Sequence, residues 1–108
     1  LYREYGYLCD PHTAVAAGAL RKYRQASGDG RVTVVASTAS PYKFAPAVCE
    51  ALGIEQDGDA YACIDALKNE TGLPVPPQLA GLQGLPDRFT KVIERDEIAD
   101  AVRAFMSE

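Results

Sequence analysis

Hydroxyl side chains crowd one short stretch of this chain, Ser37-Thr38-Ala39-Ser40-Pro41-Tyr42-Lys43-Phe44. It follows Val32-Thr33-Val34-Val35-Ala36, a β-branched run that reads as a strand covered on both faces. It leads into a helix opening at Pro41. The end of a strand beside the start of a helix is where open α/β sheets hold their ligands. Thr38, at its centre, has two readings: a turn hydroxyl satisfied by backbone amides, or a hydroxyl offered to a ligand. Ser37 and Ser40 flank it and could line the same pocket. Ser40 sits at the mouth of the helix, where anions are attracted, although serines at such turns also bond their own backbone.

A second cluster is Asp10-Pro11-His12-Thr13-Ala14-Val15, which holds the only histidine of the chain. His12 and Thr13 follow an aspartate that can cap a helix, so each could serve either a pocket or the helix start. Lys43 could contact a phosphate or carboxylate, or form a surface ion pair. Cys9, Cys49 and Cys63 are odd in number and far apart, with no C-x-x-C pair and no metal-ligand spacing. Small core residues in a reduced, cytoplasmic protein are the expectation for them.

The elements that must position these residues follow from periodicity and punctuation. Asp10 as cap and Pro11 at the first helical position predict a helix to Ala26. Val15, Ala19, Leu20 and Tyr23 should face the core, and Arg21, Lys22, Arg24 and Gln25 the water. A second helix should run from Pro41 to about Leu52, stopped by Gly53, with Phe44, Val48 and Leu52 as its buried stripe. Asp59 should cap a third over residues 60–69, with Ile64 and Leu67 inward. The Pro- and Gly-rich stretch 73–87 reads as a surface excursion with at most one helical turn near Gln78 to Gln83. Phe89 to Glu94 reads as a second strand, and a last helix from about Asp96 to Met106 should present Ile98, Val102 and Phe105.

These elements predict an α/β fold, a small open sheet with packed helices, in a single compact unit over residues 1–108. Two strands make a poor sheet, and the edge of 32–36 needs a neighbour. That, and an opening at Leu1 rather than Met, predicts a piece of a longer chain. The net charge of −4 and scattered Lys and Arg argue against nucleic acid. No apolar run approaches the roughly 20 residues of a membrane span.

The order, spacing and placement of the two clusters resemble the C-terminal part of threonine synthase. That family carries a Thr-Ala-x-Pro-x-Lys-Phe segment late in the chain, matched here by Thr38-Ala39-Ser40-Pro41-Tyr42-Lys43-Phe44. Its members are pyridoxal-phosphate enzymes that convert O-phosphohomoserine and water to threonine and phosphate. The resemblance implies the C-terminal part of a fold-type II enzyme, of the tryptophan-synthase-β kind, completed by an N-terminal part of the same chain. It also implies that Thr38 faces the pyridine nitrogen of the cofactor, where a neutral hydroxyl donates to an unprotonated ring nitrogen. The Asp-x-His-Thr segment falls near that active site. Where the family often has His between Ala and Pro, this chain has Ser40. Lys43 lies outside the family's Schiff-base segment, of the Ser-Phe-Lys-Asp type, so that lysine is expected upstream and the fragment alone is expected to be inactive. Gly28-Asp29-Gly30 is too short for the phosphate loop. A non-catalytic α/β binding or interaction module is the alternative.

Overall fold

In a computed structural model, residues 1–55 and 58–107 are described. The two longest helices among the described residues begin where a side chain satisfies their first amides. The Asp10 carboxylate accepts from the His12 and Thr13 N–H groups ahead of α2 (Pro11–Ser27), and Asp59 accepts from Tyr61 and Ala62 ahead of α4 (Ala60–Thr71). Gly28 and Gly72 close those helices with φ of 69° and 68°, a left-handed backbone that an L side chain resists. Before α2 lies the single-turn α1 (Tyr2–Tyr5). A 3-10 turn at Pro41–Phe44 runs into α3 (Ala45–Leu52). Beyond α4 come the short α5 (Pro77–Ala80), a second 3-10 turn at Arg95–Glu97 and α6 (Ile98–Met106).

The core forms where α3 lies on α4. Ala45, Val48 and Cys49 meet Cys63 and Leu67, and Leu8 and Tyr42 complete the buried set. Phe44, Leu52 and Ile64 pack against it, so both helices face inward through the residues their spacing predicts. Cys49 donates from Sγ to the Cys63 carbonyl at 3.4 Å, and burial pushes its thiol pKa up. Cys49 and Cys63 are therefore core residues, while Cys9 is half-buried; none of the three is in a disulfide.

The expected sheet is absent: the described residues contain helices and turns and no strand. The run 32–36 has no ladder partner, and Val32 and Val34 stand 96% and 89% exposed. The segment expected as a second strand fares alike, with Phe89 and Val92 at 87% and 92%. The reason is physical. A β-branched run becomes a strand by packing on neighbours and sharing hydrogen bonds, and the described residues bring no such neighbour to either segment. The α/β and fold-type II expectation is corrected to a helical arrangement around the α3–α4 pair.

The expected inner face of α2 is corrected too. Val15 and Tyr23 are exposed and Thr13 is the one buried residue of the helix. Toward a groove of about 780 Å³ shared with α3, the helix turns the small residues Ala14, Ala17 and Gly18 together with Leu20 and Arg21. At its far end, Arg31 clasps Asp29 at 2.6 Å and Arg24 reaches the Arg31 carbonyl at 2.7 Å. The guanidinium holds the Asp29 carboxyl down at about 2. Those contacts tie the start of the extended segment to the helix.

Candidate functional site

The two clusters singled out in the sequence meet in space at the first turn of α2. Asp10 is its centre, a carboxylate only 1% exposed. Oδ2 accepts the Thr13 hydroxyl at 2.5 Å, and Oδ1 accepts His12 Nδ1–H at 3.0 Å. An ionised carboxylate only accepts, so Nδ1 carries the ring proton and Nε2 is left toward solvent on a side chain 74% exposed. From the other cluster, Ser37 Oγ lies 3.0 Å from Thr13 Oγ1. The His12 and Phe44 rings meet edge to face with centroids 4.9 Å apart. Thr13, Ser37 and His12 are thus brought together.

The remaining predicted residues lie along the loop beyond. Ser40 takes the helix-mouth role, its Oγ accepting the Tyr42 amide at 3.3 Å. Thr38 sits between Ser37 and Ser40, exposed, with no hydrogen bond to any described residue. Lys43 is exposed and makes no ion pair among the described residues. The large groove between α2 and α3 is lined by none of these side chains.

Two residues escaped the sequence reading. Asp10 was legible as a cap, but its burial and its bonds to two further side chains were not. Tyr42 is buried and donates from its hydroxyl to the Leu73 carbonyl at 2.6 Å, which anchors the loop to the end of α4. An aromatic with a polar tip directly after Pro41 was the available signal.

The Thr13 hydroxyl chiefly, with the His12 ring and the two capping amides, holds the Asp10 carboxyl below its usual 3.8, against the opposing pull of burial. A lowered folded-state pKa stabilises above 3.8, and that contribution drains as pH falls through the folded value. Asp10→Ala therefore lowers the melting midpoint of the chain by about 4–8 °C at neutral pH, read by circular dichroism. The gap between wild type and variant narrows at low pH. A gap that holds constant down to pH 2 contradicts this account.

The sequence family described as threonine synthase, C-terminal, matches residues 13–106. The chain belongs to the threonine synthase C-terminal family. The matched span contains the whole Thr38 loop and begins at Thr13 itself. Threonine synthase-like 1 of Mus musculus is 36% identical over 88 residues, which cover 81% of this chain and 11% of the relative. The chain thus spans about a tenth of that protein. No solved structure matches. Threonine synthases in full length depend on pyridoxal phosphate. No helix among the described residues is long and apolar enough to cross a membrane, and no three or more His, Cys, Asp or Glu side chains there gather as a metal-binding group.

Proposed function

We propose that this chain is the C-terminal part of a cytoplasmic threonine synthase, which converts O-phosphohomoserine and water to threonine and phosphate with pyridoxal phosphate. The observation that carries the reading is Thr38, a hydroxyl at the centre of the family's loop with no hydrogen bond inside the described chain.

The residues present fit one part of the cofactor. Thr38 can donate to the ring nitrogen without charging it, whereas a carboxylate would hold it protonated. Nothing fits the cofactor phosphate: around Gly28-Asp29-Gly30, the Gly28 amide donates to Arg24, the Asp29 amide to Ser27 and the Arg31 amide to Asp29. Those donors are already used, and the chain's lysines lie outside the family's Ser-Phe-Lys-Asp type of segment, so the phosphate cradle and the Schiff-base lysine belong to the N-terminal part. Bound there, the cofactor supplies an electron sink for the substrate's carbon skeleton. Within this chain Thr38 holds the ring nitrogen, Ser37 and Ser40 fix the loop on either side, and Tyr42 anchors it to α4. His12 presents Nε2 beside Phe44 with its tautomer set by Asp10. Lys43 stays at the surface for an anion, such as the substrate's phosphate.

The test separates fragment from parent. Mixed with pyridoxal phosphate and treated with borohydride, the chain gives no stoichiometric lysine adduct. The full-length parent gives one, on a lysine outside these residues, and releases phosphate from O-phosphohomoserine. A stoichiometric adduct on Lys43, or a parent that binds the cofactor and releases no phosphate, defeats the proposal; the latter result favours a binding module.

A further inference from the structure

Thr38 offers a hydroxyl yet holds nothing itself, so its position is set by its neighbours. Downstream the fixing is plain, through Ser40 at the helix mouth and the Tyr42 hydroxyl on Leu73. Upstream, the nearest side-chain bond is one residue away, from Ser37 to Thr13 across 24 positions of sequence.

We propose that Thr13 is a positioning residue for Thr38, acting through Ser37 and itself held by Asp10. The proposal rests on Thr38 as the ring-nitrogen contact. Its direction follows from counting protons. Asp10 has only lone pairs to offer, so the single Thr13 proton goes to it. Thr13 Oγ1 is then left as an acceptor, and the Ser37 hydroxyl must donate to it. Ser37 gives to Thr13 and Thr13 gives to Asp10, each bond polarising the next. The fixed end is buried, with Asp10 at 1% and Thr13 at 7% exposure, and the free end carries Thr38. Thr13 needs its hydroxyl for this and not its bulk. The arrangement gives α2, which contributes nothing else to the loop's hydroxyls, a reason to begin with Asp-Pro-His-Thr.

The experiment uses the full-length parent and reads the affinity and absorption spectrum of bound pyridoxal phosphate, apart from turnover. Ser37→Ala breaks only the exposed link and leaves Asp10 and Thr13 paired, so folding is not at stake. It should weaken cofactor binding about fivefold to tenfold, the scale of one lost hydrogen bond. Thr13→Val should do the same and Thr13→Ser should stay within about twofold of wild type. Ser37→Ala added to Thr38→Val should cost nothing further, since residues acting in series do not add. Full additivity, or an unchanged Ser37→Ala beside a weakened Thr38→Val, overturns the positioning role. An unchanged Thr38→Val overturns the ring-nitrogen contact beneath it.

Discussion

Leu67→Ala lowers the stability of the chain by about 3 kcal/mol, measured as a shift in the urea midpoint with the slope unchanged. Leu67 is fully buried, at 0% exposure, on the face of α4 that meets α3. Its removal forfeits the transfer energy of the side chain and leaves a hole in the buried cluster it shares with Val48, Cys49 and Cys63. The effect is large because the buried set is small. A domain of ordinary stability has about 5–15 kcal/mol in total, so one side chain holds a substantial share. Leu67→Met, which keeps the volume, should cost less than about 1.5 kcal/mol. If Leu67→Ala and Leu67→Met prove equal, the α3–α4 contact is not the centre of the fold.

What was legible in the sequence was local. Asp10 and Asp59 cap their helices because a carboxylate reaches amides two and three residues on, a geometry that spacing alone prescribes. Val48 and Leu67 are inside because α3 and α4, close in sequence, bury each other's apolar stripes. What failed was non-local. Val32 to Ala36 has the composition of a buried strand, but a strand takes its identity from the neighbour it pairs with, and none lies among the described residues. Val15 and Tyr23 recur at helical spacing, which predicts an inward face, yet both are exposed. The side of the helix that lines the groove against α3 instead carries the small residues Ala14, Ala17 and Gly18, with Leu20 and Arg21 beside them. The site shows the same division. Ser37, Thr38 and Ser40 were legible as a group by adjacency, and His12 and Thr13 by theirs, whereas the bond that joins the two groups, Ser37 to Thr13, depends on the path of the chain between them.

In the full-length parent, Thr38→Val weakens retention of pyridoxal phosphate by roughly 1–3 kcal/mol, read by equilibrium dialysis or by the recovery of activity on adding cofactor. Valine keeps the β-branch and the volume, so the loop between Ser37 and Ser40 retains its shape. Only the hydroxyl is lost. The cost is set by what remains: a ring nitrogen taken out of water whose lone pair no longer has a donor, a more expensive state than one in which neither partner was present. Thr38→Ser should restore most of the affinity, because it returns the donor at the same atom. Thr38→Asp acts in the opposite sense. A carboxylate stabilises the protonated ring nitrogen, which strengthens the ring as an acceptor of electrons and should raise the share of side reactions such as transamination relative to phosphate release. The three variants therefore separate by two independent readouts, affinity and product ratio. Thr38→Val with unchanged affinity and unchanged turnover makes Thr38 an ordinary turn residue, and the chain then meets the cofactor elsewhere or not at all.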